Sequence, residues 1–302
     1  MSLYDKIYYY FILTIIFFLS LFLMISFVIP FNKENNKIRG PRDIFSHSKT
    51  YIESHCGVNR EIFQNTLPAF SKAIEYKIDS LETDVWLTKD NVLVLVHGQG
   101  YYGYLKKYYG IRQNITNLTY KKISKYRTVN DSLRMPTLSE TMKLTKNKIF
   151  LNLEIKDPRV DLVFPYIVKL IEEYDFFDQI SLSSFHHDYY NKTIEYNRIF
   201  NKNLVFGFIY PKNESNYDYT KRGSSINIYY ANITREICDT AHSNGMSVLA
   251  WFAIRDEENE RIYKELLDNK VDVICCNEPL RATKYRDYYY KKKKNKFLTL
   301  MY

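Results

Sequence analysis

The chain is poor in the residues that mark several common ligand-binding architectures. Its 302 residues hold Gly 9 and Pro 8, and no glycines fall in a GxGxxG or P-loop spacing, which argues against a nucleotide-cradling loop. Four cysteines, Cys56, Cys238, Cys275 and Cys276, show neither a CxxC spacing nor a zinc-finger pattern. Cys275 and Cys276 are neighbours, so on a strand they point to opposite faces and do not bond to each other. No nucleic-acid-binding motif accompanies the net charge of +9, so no nucleic-acid partner is expected. The charge points instead to phosphate esters or acidic membrane surfaces. Part of the excess is local. Lys291 to Lys294 and Lys296 crowd the C-terminus, and residues 286–302 read as a solvated, disordered basic tail. No linker divides the body, and the length suffices for one large core.

Tyrosine is in surplus, with Tyr 29, but it is spread along the whole chain and no single tyrosine is informative. Only one long apolar run stands out. Residues 8–31 carry no charge, and about 24 residues suffice to span roughly 30 Å of hydrocarbon. The run ends Phe27-Val28-Ile29-Pro30-Phe31 without a small-residue cleavage site, so it reads as an uncleaved transmembrane anchor. A short tail (residues 1–7) precedes it and a polar linker (residues 32–43) follows. Orientation signals conflict. Lys33, Lys37, Arg39 and Arg42 after the run favour a cytosolic body. Asn-x-Ser/Thr triplets beginning at Asn114, Asn117, Asn130, Asn191, Asn213 and Asn232 favour a lumenal or extracellular one. The expectation is a single-pass membrane protein with its body lumenal or extracellular.

Through the body, apolar runs with strand character alternate with helical patterns. Strands are predicted at 51–55, 80–86, 92–97, 149–155, 179–183, 204–209, 226–229, 247–252 and 271–275. Helices are predicted at 65–77, 136–145, 160–174, 234–243 and 257–269. Such alternation indicates parallel βα units. Their number predicts an α/β fold, a (β/α)8 TIM-type barrel over residues 44–285, preceded by the one N-terminal transmembrane helix. The segment 99–135 is polar, tyrosine-rich and irregular, and reads as an insertion over the active face.

Within this frame Leu81-Glu82-Thr83-Asp84-Val85 puts two carboxylates at i and i+2, on one face of a strand. His97 closes the next predicted strand. Paired carboxylates beside a histidine suit a divalent cation and a proton-transfer group, the parts of a metal-assisted hydrolase. Alone, the pair reads equally well as solvated strand residues. Barrel enzymes, however, gather functional groups at the C-terminal ends of strands. That rule adds His55, and also Glu154 and Lys156 from Asn152-Leu153-Glu154-Ile155-Lys156. Three carboxylates, two histidines and a lysine at strand ends are hard to attribute to solvation.

These residues resemble the glycerophosphodiester phosphodiesterase family. The family's His-Arg-Gly, Glu-Asn-Thr and Ala-Phe elements stand here as His55-Cys56-Gly57, Gln64-Asn65-Thr66 and Ala69-Phe70. Its central signature stands as Glu82-Thr83-Asp84-Val85-Trp86-Leu87-Thr88-Lys89-Asp90, and its His-Asp as His97-Gly98. Asn152 to Lys156, Ala250-Trp251-Phe252 and the closing stretch from Val271 to Pro279 complete the match over residues 50–285. The resemblance implies a phosphodiester hydrolase with one divalent cation, Mg²⁺ or Ca²⁺, ligated by Glu82, Asp84 and Glu154. It implies His55 and His97 as the acid/base pair acting on a glycerol hydroxyl or water, and Lys156 and Trp251 as substrate contacts. Glycerophosphodiesters or, given the anchor, lysophospholipids are the implied substrates. A toxin-like sphingomyelinase D shares the histidines and the carboxylate pair, but Asn65-Thr66 and the Asn152 to Lys156 stretch fit the phosphodiesterase branch better.

Three departures bear on activity. Cys56 cannot offer phosphate the planar fork of arginine, Gln64 lacks the charge of glutamate, and Gly98 lacks the carboxylate of aspartate. They support a second reading, a weakened or inactive relative that binds a ligand without turnover.

Overall fold

β1 (Tyr51–Ser54), β2 (Ser80–Leu87), β4 (Phe150–Ile155), β5 (Ile180–Ser184), β6 (Val205–Ile209), β7 (Ser225–Tyr229), β8 (Ser247–Trp251) and β9 (Val273–Cys276) run parallel. They close into a ring because β1 pairs with both β2 and β9. A computed structural model provides this structure and describes residues 49–98 and 104–299. Helices alternate with the strands: α1 (Leu67–Glu75), α4 (Leu138–Thr145), α5 (Val160–Glu173), α6 (Asp188–Phe200), α7 (Arg235–Ser243), α8 (Glu260–Asp268) and α9 (Pro279–Thr299). The predicted TIM-type barrel of eight parallel strands is therefore present, with no helix in the connection from β6 to β7. The predicted anchor, residues 8–31, and its linker lie outside the described residues. Among the described residues no helix is long and apolar enough to cross a membrane.

Strand alternation separates two interiors. Outward residues such as Leu81, Val85, Leu151, Leu153 and Ile274 join the helices in one continuous apolar core. On α5, Val163, Phe164, Ile167 and Ile171 are buried, a stripe at helical spacing that faces the strands. Inward residues are small or polar at mid-barrel. Ser80 donates to Glu53 at 2.5 Å, Asn152 donates to Glu53 at 3.0 Å, and Ser183 donates to Asn152 at 2.9 Å. Gly207 leaves room for this layer, since a Cβ would sit 2.7 Å from Asn227 Nδ2 and 2.8 Å from Ser225 Oγ. Below this layer Tyr51, Phe150, Leu249 and Val273 plug the barrel. The interior is thus closed below and polar above, which leaves its upper end for chemistry.

Three expectations change. The predicted strand at 92–97 is β3 (Leu93–Leu95), and it pairs antiparallel with β2. It is the return arm of a hairpin rather than a barrel strand. His97 therefore does not occupy a strand end on the rim. It is carried back down the hairpin to the level of Asp84, whose carbonyl accepts from Val96 N at 3.0 Å.

The described part of the insertion, residues 104–135, carries regular elements. It forms α2 (Tyr104–Tyr109), a 3₁₀ turn at Ile115–Asn117 and α3 (Tyr120–Ile123). Leu105, Tyr109, Ile111, Ile115, Leu118, Ile123 and Met135 pack with Trp86, Val94 and Val96 into a second small core. The apolar residues are scattered among tyrosines and lysines, so no single period revealed them.

The basic tail is the last part of α9, in which Lys291 to Lys294 are exposed. Its start belongs to the body. Arg286, almost fully buried, pairs with Asp79, and the Tyr290 hydroxyl accepts from Thr50 N at 3.1 Å.

Candidate active site

A cavity of about 380 Å³ opens at the C-terminal ends of the strands, lined by His55, Glu82, His97, Glu154, Lys156 and Trp251 among others. Six of the seven predicted site residues therefore line one space. The seventh, Asp84, is fully buried directly beneath it. Register explains the convergence. Glu82 pairs with Asn152 and Asp84 with Glu154 across β2 and β4, so the inward residues of two strands stack in one column. Glu82, Asp84 and Glu154 each bring a carboxylate oxygen within 4.8 Å of the others.

The electrostatics follow from burying like charges together. Lys156 Nζ lies 2.5 Å from Glu154 Oε1 and 3.2 Å from Asp84 Oδ1. Burial alone would raise the Asp84 carboxyl. The Lys156 and His97 charges, with hydrogen bonds from Asn65 and Cys56, reverse this and hold it well below the usual range. Glu154 is pushed up to about 7 by burial, against the pull of Lys156. Glu82 is driven well above the usual range by burial and by its two carboxylate neighbours. Burial also lowers both histidines. His55 falls to about 4 despite the Asp84 charge, and His97 shifts in the same direction for the same reasons. Lys156 is raised, because the Glu154 and Asp84 carboxylates outweigh its burial.

The three carboxylates fit a hard divalent cation. One lysine does not neutralise three buried acids, and Glu82 Oε1 has no hydrogen-bond partner in the protein. All-oxygen donors of this kind suit Mg²⁺ or Ca²⁺.

Residues to which the sequence assigns no role of their own complete the surroundings. Asn65 donates to Asp84 Oδ2 at 2.7 Å, and its carbonyl oxygen accepts from Thr83 Oγ1 at 2.5 Å. It locks the buried acid in place. Glu53 forms part of the floor, and Lys212 and Arg255, from the loops after β6 and β8, supply positive charge on the wall. The strand-end rule could have pointed to those loops, although nothing in their composition singles out the two residues. An apolar side is built from Phe185, Ile209, Leu249, Trp251 and Ile254. Trp251 meets Phe185 edge to face at 6.3 Å, and its indole N–H has no partner.

The three departures have structural counterparts. Cys56 lies below the cavity, and its thiol is 3.1 Å from Asp84 Oδ2. Gln64 belongs to an adjoining groove with His97, Tyr104 and Arg255, so it stands beside the histidine rather than among the three carboxylates. At Gly98 a Cβ would lie 2.9 Å from the Tyr104 Cβ. The glycine lets α2 close on His97, whose ring is 5.7 Å from that of Tyr104.

Comparisons with known proteins agree with this geometry. Residues 55–281 match the model of the glycerophosphoryl diester phosphodiesterase family. The glycerophosphodiester phosphodiesterase of Caldanaerobacter subterraneus subsp. tengcongensis is 30% identical over 241 residues, covering 76% of this chain and 95% of that protein. A phosphodiesterase from Oleispira antarctica, solved in complex with the product sn-glycerol-3-phosphate, shares the fold with a TM-score of 0.68 at 17% identity. That similarity covers 81% of this chain and 99% of the other. A glycerophosphodiester phosphodiesterase from Parabacteroides distasonis gives a TM-score of 0.65 at 20% identity, covering 80% of this chain and 98% of the other. The chain thus belongs to the glycerophosphoryl diester phosphodiesterase family, and it is a phosphoric diester hydrolase.

Proposed function

We propose that the protein hydrolyses glycerophosphodiesters to an alcohol and glycerol phosphate, with a divalent cation, Mg²⁺ or Ca²⁺, held by Glu82, Asp84 and Glu154. The observation that carries this reading is the convergence of those acids with His55, His97 and Lys156 on one cavity, in a chain of this family. Bound there, the cation would neutralise charge developing on the phosphate oxygens.

The chain's own groups supply the rest. The Lys156 ammonium faces the same space and adds fixed positive charge for the phosphate in a site largely shielded from water. Burial disfavours the protonated form of both His55 and His97, which leaves a ring nitrogen of each with a lone pair to accept a proton. One takes the proton of the attacking hydroxyl, from the glycerol or from water. The other delivers a proton to the leaving alcohol, helped by the phosphate's negative charge, which favours its protonated form.

Lysophospholipids are a second substrate class. The wall of Phe185, Ile209, Leu249, Trp251 and Ile254 favours it, since this wall can receive an apolar group beside the phosphate. Residues 8–31 would hold the enzyme in a membrane, with the barrel lumenal or extracellular. Asn117, Asn130, Asn191 and Asn213 are exposed, which suits glycan attachment. A drop in mass after enzymatic deglycosylation of cell-derived protein supports that orientation, and an unchanged mass counts against it.

The test of function uses the full-length protein in detergent with glycerophosphocholine and lysophosphatidylcholine. Release of glycerol phosphate or lysophosphatidic acid is expected with Mg²⁺ or Ca²⁺. Substituting either His55 or His97 by Ala should cost on the order of 10²–10⁴ in kcat. Variants as active as the parent would refute the assignment.

A further inference from the structure

His55 and Cys56 are consecutive, yet each places a donor atom within 4.8 Å of the other and of a Glu82 carboxylate oxygen. The turn after β1 brings this about. Cys56 adopts φ +56°, in the left-handed region. Its backbone N–H and its Sγ lie 2.8 and 3.4 Å from Glu82 Oε2. Two polar atoms in this small group are orphaned. His55 is 8% exposed and its Nδ1 has no hydrogen-bond partner, and Glu82 is 4% exposed and its Oε1 has none. Buried polar atoms seldom go unpaired, and an ion is one of the partners that can satisfy those that do.

We infer that His55, Cys56 and Glu82 form a site for a thiophilic divalent cation, zinc in the first instance, which overlaps the hard-cation cluster and competes with it. One nitrogen, one sulfur and one carboxylate oxygen are a donor set that zinc accepts, and three protein ligands leave a fourth position open. Mg²⁺ and Ca²⁺ gain little from a thiol, so the sulfur separates the two classes of ion. Glu82 belongs to both donor sets, so occupation of one weakens the other. Zinc binding releases the thiol proton to solvent and engages the lone pair of His55 that acid/base work requires. Zinc therefore inhibits. The inhibition rests on the hydrolase reading, whereas the binding does not.

Cobalt(II) alone, titrated into the full-length protein, provides the direct test. Thiolate coordination gives a charge-transfer band in the near ultraviolet that oxygen and nitrogen donors do not give. The band is expected to saturate, to bleach on addition of zinc, and to weaken with excess Ca²⁺. It should vanish in Cys56→Ser and persist in Cys275→Ser, whose thiol also borders the cavity. Glu82→Gln is the second variant, and it should weaken cobalt binding by roughly tenfold or more. A cobalt complex without the band, or a band that survives in Cys56→Ser, overturns the site. In the activity assay, zinc should inhibit the parent at concentrations roughly tenfold or more below those needed for Cys56→Ser, and equal sensitivity overturns the inhibition. A chain that shows the band but hydrolyses no phosphodiester keeps this site and loses the hydrolase reading.

Discussion

Asp84 and Glu154 stand opposite each other across the parallel pair β2 and β4, and the ammonium group of Lys156 contacts both. A single positive charge thus serves buried carboxylates that a divalent cation would also use. Lysine and cation compete for the same oxygens and repel each other. Lys156→Met should therefore bind Ca²⁺ more tightly than the parent while losing turnover. Calorimetric titration beside kcat measurement checks this. Weaker cation binding in the variant would show that Lys156 holds the carboxylates in place rather than competing for them.

Cation binding should tighten as pH rises. Glu154 sits near pKa 7 and Glu82 well above its ordinary range in the cation-free protein, both through burial. Protons on these groups must leave before a cation enters, so affinity is lowest below pH 7 and grows as the pH rises past it. Titrations between about pH 6 and 8, in two buffers of different ionisation enthalpy, should reveal proton release. A flat affinity over that range would contradict the burial argument.

Restoring aspartate at position 98 should not restore a more typical site. The Cβ alone would meet Tyr104 at 2.9 Å, and overpacking of this sort costs about 1–3 kcal/mol. Gly98→Asp is expected to lower Tm, and Gly98→Asp combined with Tyr104→Gly, which removes the Cβ it would meet, should recover part of the loss. The double-mutant cycle measures the coupling directly. Additive effects would mean that α2 moves aside freely.

Much of the barrel was legible because its strands and helices carry clean periods. Val160 to Glu173 shows helical spacing, and Leu151, Leu153 and Ile155 alternate with inward Asn152 and Glu154. The acids, histidines and lysine were legible because their motifs sit on that frame. The direction of β3 was not, since an apolar run of three residues reads the same parallel or antiparallel. Lys212 and Arg255 were not, since loops leave no period. The lysine run of α9 carries no apolar period that marks a helix, although Arg286 and Tyr290 fasten the same helix to Asp79 and Thr50.

That fastening predicts where the chain can be cut. Truncation after residue 285 removes the guanidinium beside Asp79, and breaking a buried pair costs about 3–5 kcal/mol. Truncation after residue 295 keeps both contacts. Thermal denaturation should show the first form strongly destabilised and the second close to full length. Equal Tm values would mean that the barrel closes without α9.

The most direct measurement is hydrolysis of glycerophosphocholine by the full-length protein, with Ca²⁺ or Mg²⁺ and after exhaustive chelation, for the parent and Glu154→Gln. The account predicts turnover that needs the cation, disappears on chelation, returns when the cation is restored, and is nearly absent in Glu154→Gln. Turnover that survives both chelation and Glu154→Gln would contradict it.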